Sequence, residues 1–468
     1  MRYKGLDFCI FVYYNTAIRQ NCHILSNNTI KMNKNELIKI LNDWNFWQKD
    51  IETGIKRDAY LNSLEQMLQS GQIMLITGAR RSGKSFLMRQ LAKKIVERGA
   101  DKNQILIVNF EDPRFVDLNT DLLDQILETY QEFLRPKEKP YIFLDEVQEV
   151  AGWEKWARTV HELGKAHIII SGSNAKLLSR ELATVLTGRH LDLTVFPLSF
   201  EEFLKFKNIS IKSEIDLAGK DIEIKSLLTN YLENGAFPKV VINDAKEKIL
   251  LAYFDDILNK DLIRRFRIRK GEKIKSLIKF YLSNISSPVT FSSLGKFLGI
   301  STDTAEKFSS YLENAYMIFF LKRFSYTVKE QEKSPRKVYA IDTGLANTVG
   351  FRFSGNWGKL AENIVFLHLK RKAIVNPNLE IYYWKDARHN EADFVVKEKT
   401  AVKEIIQVCW NIDDSKTKKR ETNSIVKAMK SLNVETGLVI TEDYEGEEFV
   451  GNKKIQFIAL RKWLLFGL

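Results

Sequence analysis

Four short stretches of the chain are apolar almost without interruption: QIMLITG at 72–78, QILIVNF at 104–110, YIFLDE at 141–146 and HIIISGS at 167–173. Strands that do not alternate are buried on both faces, the mark of a parallel sheet enclosed by helices. Between them, apolar residues recur at helical spacing over 85–97, 120–134 and 153–163. Strand and helix thus alternate from Gly71 onward, which predicts an α/β domain with helices on both faces of its sheet. After Pro197 the pattern turns helical to about Asn284. A small helix–turn–helix-like unit follows at 286–345. Its first helix is expected over 291–298, with a turn at Gly299 to Ser301. The second is expected over 304–319, because Ala305, Phe308, Leu312, Ala315 and Phe319 share one face. Ser301 or Thr302 can cap it, and the extended runs FFLKRFSY and KVYAID come next. A second, smaller α/β region fills 346–468, with strands at 381–384, 392–396 and 404–408.

Five segments emerge: 1–31, 32–205, 206–285, 286–345 and 346–468. The first reads as an upstream extension, since the clean amphipathic run MNKNELIKILNDWNFW begins at Met32. A length of 468 residues accommodates three domains. With 44% apolar and 28% charged residues the chain is not disordered, and 8 Pro with 23 Gly are too few for a loop-rich protein. Cys9, Cys22 and Cys409 have neither the number nor the spacing of a disulfide framework or a zinc knuckle, which points to a reducing, cytoplasmic compartment. The apolar runs at 8–14 and 315–321 fall far short of the ~20 residues that cross a bilayer, so no membrane partner is expected.

Candidate chemistry begins at the end of the first strand. Gly78, Ala79, Arg80, Arg81, Ser82, Gly83, Lys84 and Ser85 fit G-x-x-x-x-G-K-[ST] between a strand and a helix, the context that a phosphate-cradling loop requires. The glycines let backbone N–H groups turn toward a phosphate, and the helix N-terminus adds its positive end. Lys84 would reach the β- and γ-phosphates of ATP, and Ser85 would ligate Mg2+. Asp145, ending the strand YIFLD, would hold the same Mg2+, and Glu146 would orient or deprotonate the attacking water. QILIVNFED could supply the strand lying between these two motifs. Ser173 or Asn174 could sense the γ-phosphate, or cap the next helix instead. Arg189, with Arg180 as its rival, could serve a neighbouring subunit of a homo-oligomer as an arginine finger.

These motifs, GARRSGKS, NFEDPRF, FLDEVQEVAGWEKWAR, SGSNAKLLSRELATVLTGR and VFPLSFEEFL, resemble an archaeal and bacterial family of AAA-type P-loop ATPases with a C-terminal domain of unknown function. The segment WNFWQKDIETGIKRDAYL fits that family too, and the resemblance covers nearly all of 32–468. It implies an ATP-binding, hydrolysing core followed by a winged-helix unit and a fold like that of restriction endonucleases. The metal-dependent nucleases of that fold use a helix acid, a strand acid and an acid-or-Gln-x-Lys on the next strand. Glu362 and Asp393 match the acids. Gln407-Val408-Cys409 puts cysteine in the lysine's place, and Lys403, about 13 Å along the strand, cannot replace it. The resemblance therefore implies an inactive nuclease-like module, unless Glu362 and Asp393 merely pair with a base such as Arg388.

Charge adds one more expectation. The chain carries 72 Lys and Arg against 59 Asp and Glu, net +13. Nine of those bases (Lys260, Arg264, Arg265, Arg267, Arg269, Lys270, Lys273, Lys275, Lys279) fall within 260–279 against only Asp261 and Glu272. Such a stripe suits DNA phosphates, or is a solvated helix face, or contacts acids of the ATPase module. Thr304, Lys307 and Tyr311 lie off the apolar stripe of the second helix, where a winged helix would meet DNA. The expected function is Mg2+-dependent ATP hydrolysis that moves C-terminal modules. The alternatives are a nucleotide-gated DNA-binding protein with little turnover and an ATP-regulated nuclease.

Overall fold

The computed structural model describes residues 32–173, 188–351 and 356–467. Residues 1–31, with Cys9 and Cys22, and also Asn174 and Arg180, lie outside them. The first sheet contains β1 (Ile73–Gly78), β2 (Ile105–Asn109), β3 (Tyr141–Asp145), β4 (His167–Gly172) and β5 (His190–Val195). All are parallel, in the order β2-β3-β4-β1-β5. Every residue of β1 is buried. Ile73 and Leu75 face a layer formed with Leu37, Leu41, Leu122 and Trp153, and Met74 and Ile76 face another with Leu61, Leu64, Leu87 and Leu91. Helices 34–44, 120–134 and 153–162 thus cover one face, and helices 58–69 and 84–97 the other. Each Ile or Leu so enclosed contributes about 1.5–3 kcal/mol, which explains why the runs need no alternation.

Two expectations about this sheet change. The strand between β1 and β3 is β4, and β2 stands at the outer edge. Parallel strands are joined by crossovers long enough to skip neighbours, so chain order does not set spatial order. The second change is β5, HLDLTV, whose polar positions hid it. It pairs with β1 on one side only, and its first three residues are exposed or half-buried.

From Phe200 to Ser283 the chain is helical, as expected. The middle unit holds helices Phe291–Leu298 and Thr302–Asn314 and an antiparallel sheet of β6 (Ser287–Val289), β7 (Ile318–Leu321) and β8 (Arg336–Ala340), in the order β6-β8-β7. Ser301 caps the second helix by accepting from the Thr304 N–H. That helix ends five residues before the expected 319. Tyr316 takes a left-handed φ of 55°, and Phe319 pairs with Tyr339 of β8. The apolar run IFFL satisfied helical spacing by coincidence, and strand pairing wins.

The C-terminal sheet is larger than the three expected strands. It contains β9 (Leu379–Lys385), β10 (Glu391–Glu398), β11 (Ala401–Val408), β12 (Thr436–Thr441), β13 (Gly446–Val450) and β14 (Lys453–Ala459), in the order β13-β14-β12-β11-β10-β9. One apolar core runs without a break from Phe200 and Tyr231 of the helical region through Tyr281, Leu312 and Tyr339 to Phe366 and Trp463. The backbone joins the last two units as well, since the Phe324 N–H donates to the Tyr383 carbonyl at 2.6 Å. Among the described residues no helix is long and apolar enough to cross a membrane.

His368, on helix Trp357–Val375, packs 4.6 Å from the Trp463 ring. Burial first, then Lys372 and Arg371, push its imidazole from 6.5 down to about 3. The folded state therefore holds a neutral ring, and the stability this contributes is present above about pH 6.5 and lost as pH falls toward 3. His368→Phe is expected to flatten that acid limb in urea denaturation midpoints measured between pH 7 and 4. An unchanged slope would remove His368 as its cause.

Candidate functional site

The loop between β1 and helix Lys84–Glu97 turns on two glycines. Gly78 has φ of 137°, and a Cβ there would stand 2.1 Å from the Val195 carbonyl oxygen. Gly83 has φ of 103° and opens the helix. Lys84 lies folded into the loop, buried, donating to the Gly78 and Ala79 carbonyls at 3.1 Å each. Among the described residues the buried Ser82 hydroxyl has no hydrogen-bond partner, and a phosphate oxygen would supply one.

Strand β3 delivers the acids to the same end of the sheet. Ser171, on β4 beside it, donates to Asp145 and accepts from the Glu146 N–H at 3.1 Å. Ser85, at the start of the facing helix, lies near enough to favour the charged form of Asp145. Glu146 sits at a left-handed φ of 54°, uncommon outside glycine and characteristic of functional sites. Its carboxylate lies 3.6 Å from Lys84 Nζ and accepts from Gln148. Burial pushes Asp145 up, reinforced by the charge of Glu146. Burial also opposes ionisation of Glu146, but Lys84 and Arg80 outweigh it and hold this carboxylate below its ordinary range. The Ser85 hydroxyl and Asp145 carboxylate, both at this end of the sheet, are hard oxygen donors, so the donor set fits Mg2+, and the glycine cradle, Lys84 and Ser82 fit a nucleotide polyphosphate.

Residues 70–204 match the AAA domain family, and 225–355 and 357–463 match two domains of unknown function. An uncharacterized protein of Methanocaldococcus jannaschii is 33% identical over 89% of this chain and 93% of its own length. An uncharacterized protein of Haemophilus influenzae is 30% identical over 88% and 98%. The chain belongs to this archaeal and bacterial family of AAA-domain proteins. The Walker-type ATPase of Pyrococcus abyssi overlaps 63% of this chain and 95% of that one at 14% identity, with a TM-score of 0.40.

The AAA domain is gripped from outside by its own helical region. Residues Ile257–Arg264 form a π-helix, a rare form that gathers at functional sites. It turns Asp261 onto Arg80, with contacts at 2.7 and 3.2 Å, while Asp256 just before it meets Arg81 at 3.0 Å. Arg80 reaches Glu111 as well, at 2.6 Å. Ser173 donates to Asp261 at 3.1 Å, so it meets the π-helix rather than standing free. Arg57 fastens the other side. It donates to the Ser82 and Phe196 carbonyls at 2.9 and 3.0 Å and pairs with Glu202 at 2.7 Å. Tyr316 of the middle unit donates to Thr77, the residue before Gly78, at 2.8 Å. Sequence reasoning missed Arg57, Tyr316 and the role of Asp261. Each makes at least one contact across more than a hundred residues of chain, and no local spacing signals that.

Arg189 immediately precedes β5 at the sheet end opposite the loop, about 20 Å away by strand rise, and pairs with Glu162 at 3.0 Å. It lies outside the chain's own site. The basic stripe divides: Arg265 turns inward to Asp261 at 3.5 Å, Lys260 pairs with Asp256, and Lys273 bonds the Leu298 carbonyl. Tyr311 stacks on Phe266 with ring centres 3.8 Å apart and is half-buried.

Glu362 and Asp393 do come together, but Arg388 is exposed and takes no part. Their common partner is Lys337, which sequence reasoning did not consider because it belongs to β8 of the middle unit. Burial pushes Glu362 up to about 8, reinforced by Asp393. Cys409 is buried, and burial, then Glu421, pushes its thiol up to about 11.

Proposed function

We propose that this chain binds ATP with Mg2+ and hydrolyses it, and that the nucleotide state is passed to the helical region and the two following units. The observation that carries the reading is the meeting of Lys84, Ser85, Asp145 and an ionised Glu146 at one sheet end. Mg2+, held by Ser85 and Asp145, would neutralise phosphate charge. Lys84 leaves its carbonyl partners for the β- and γ-phosphate oxygens. Glu146 accepts the proton of the attacking water. Because Arg80 and Arg81 border the phosphates and already hold Asp261 and Asp256, an arriving anion competes with those acids, which is the route outward. Steady-state ATP turnover by the full chain tests the reading. ATP binding without turnover would favour a nucleotide-gated binding protein.

A DNA-binding role has one observation in its favour. Arg264, Arg267, Arg269, Lys270 and Lys279 are exposed and form no ion pair among the described residues. Phosphate contacts lose about 0.9 in log–log salt slope each when removed. Replacing Arg264, Arg267 and Arg269 by Ala is therefore expected to make the salt dependence of duplex DNA binding shallower by roughly 2.7, with ATP turnover unchanged. Absence of binding at ~50 mM salt, or an unaltered slope, assigns this surface to another partner. The two-helix middle unit is proposed as a winged helix on the same terms.

A further inference from the structure

The acids of the C-terminal unit converge on an ammonium that belongs to the unit before it. Lys337 Nζ lies 2.7 Å from Glu391 Oε1, 2.8 Å from Asp393 Oδ1 and 3.0 Å from Glu362 Oε1, with only 2% of the lysine side chain exposed. An ammonium has three N–H donors; here two go to Glu362 and Asp393 as hydrogen bonds, and Glu391 is held as an ion pair. Neighbouring groups complete the arrangement. Tyr339, on the same face of β8, donates to Glu362 at 2.7 Å. Asp393 Oδ2 accepts from the Val408 N–H at 2.9 Å, and the Asp393 N–H donates to Gln407. Gln407 in turn donates to Glu421 at 2.8 Å.

A divalent ion does not fit this pocket as built. Mg2+ needs near-octahedral oxygens at about 2.0–2.1 Å, whereas the oxygens that face one another here stand at hydrogen-bond distance from a nitrogen already carrying charge. A second cation among them would meet Lys337 with no room for water between. Lys337 is a mid-strand residue of β8, its backbone in register with Pro288 of β6 and Leu321 of β7, which fixes the root of its side chain in the middle sheet.

We propose that Lys337 is the resident cation of this pocket, standing where a divalent metal ion would be held. The pocket then binds no metal and cleaves no nucleic acid while the two units are joined, and the same contact fastens them into one body. The ammonium absent from the strand β11 is supplied from outside the domain, as a counter-ion to the acids.

Mn2+ binding by the full chain, without nucleotide, reads this directly, with free Mn2+ counted by electron paramagnetic resonance. The parent and Asp393→Asn, whose amide oxygen still accepts from Val408, are expected to bind the same amount. Lys337→Ala, folded by circular dichroism, is expected to gain one bound Mn2+ per chain, lost again when Asp393→Asn is added. A folded Lys337→Ala chain with no gain overturns the proposal. So does a parent chain that gives up Mn2+ on Asp393→Asn, or that cleaves plasmid DNA in an Asp393-dependent way. These last two comparisons decide the matter even if the lysine variant fails to fold.

Discussion

Glu146→Gln is expected to keep ATP bound while hydrolysis falls ~10²-fold or more, the range for losing a general base. The amide keeps the size of the side chain and can still accept from Gln148, so the loop geometry survives. What it loses is the capacity to take a proton, which the carboxylate keeps because Lys84 and Arg80 outweigh its burial. Lys84→Ala is expected to act earlier, at binding. Its ammonium is buried in the loop, 3.6 Å from Glu146 and within reach of the Gly78 and Ala79 carbonyls. Fluorescent-nucleotide titration separates the two variants, since Lys84→Ala loses affinity and Glu146→Gln does not. A Glu146→Gln chain that turns over ATP at the parent rate would show that another group prepares the water.

The parts of this molecule legible in the sequence are those written in local pattern. Strands β1 to β4 announced themselves because each is buried on both faces, and helices 120–134 and 291–298 were bounded as found because capping residues and periodicity agree there. The phosphate loop was legible because its chemistry forces glycines and a lysine to fixed spacing. Contacts between distant segments were not. Asp261 looked like one of two acids diluting a basic stripe, yet it is the residue that meets Arg80, Ser173 and Arg265. Lys337 opens the extended run KVYAID, and no spacing rule links it to acids on a helix and strand 25 and 56 residues away. Tyr316 belonged by periodicity to a helix that stops before it, and it instead reaches Thr77. Local grammar gives elements and motif loops, whereas the connections that would carry a nucleotide signal depend on tertiary packing.

Arg57→Ala is expected to destabilise the chain by about 3–5 kcal/mol, the cost of leaving a buried partner charge uncompensated. The guanidinium is 3% exposed and takes both oxygens of Glu202 at 2.7 Å, the Ser82 carbonyl at 2.9 Å and the Phe196 carbonyl at 3.0 Å. Its face lies 4.5 Å over the Tyr60 ring. Burial works against the charge on each partner, and in each the attraction of the other prevails, so Arg57 is held up and Glu202 down. Removal therefore strands a carboxylate and two carbonyls together. Arg57→Lys is expected to recover little, because an ammonium cannot span the carboxylate and both carbonyls as the planar fork does. The Ser82 carbonyl belongs to the phosphate loop, so nucleotide affinity should fall with stability, and Glu202→Gln, which relieves the stranded charge, should restore part of the stability to Arg57→Ala but not the affinity. Urea denaturation and nucleotide titration on the three variants measure both effects. An Arg57→Ala chain within 1 kcal/mol of the parent, far below that range, would mean that water reaches Glu202 and that this pair is not the anchor of the loop.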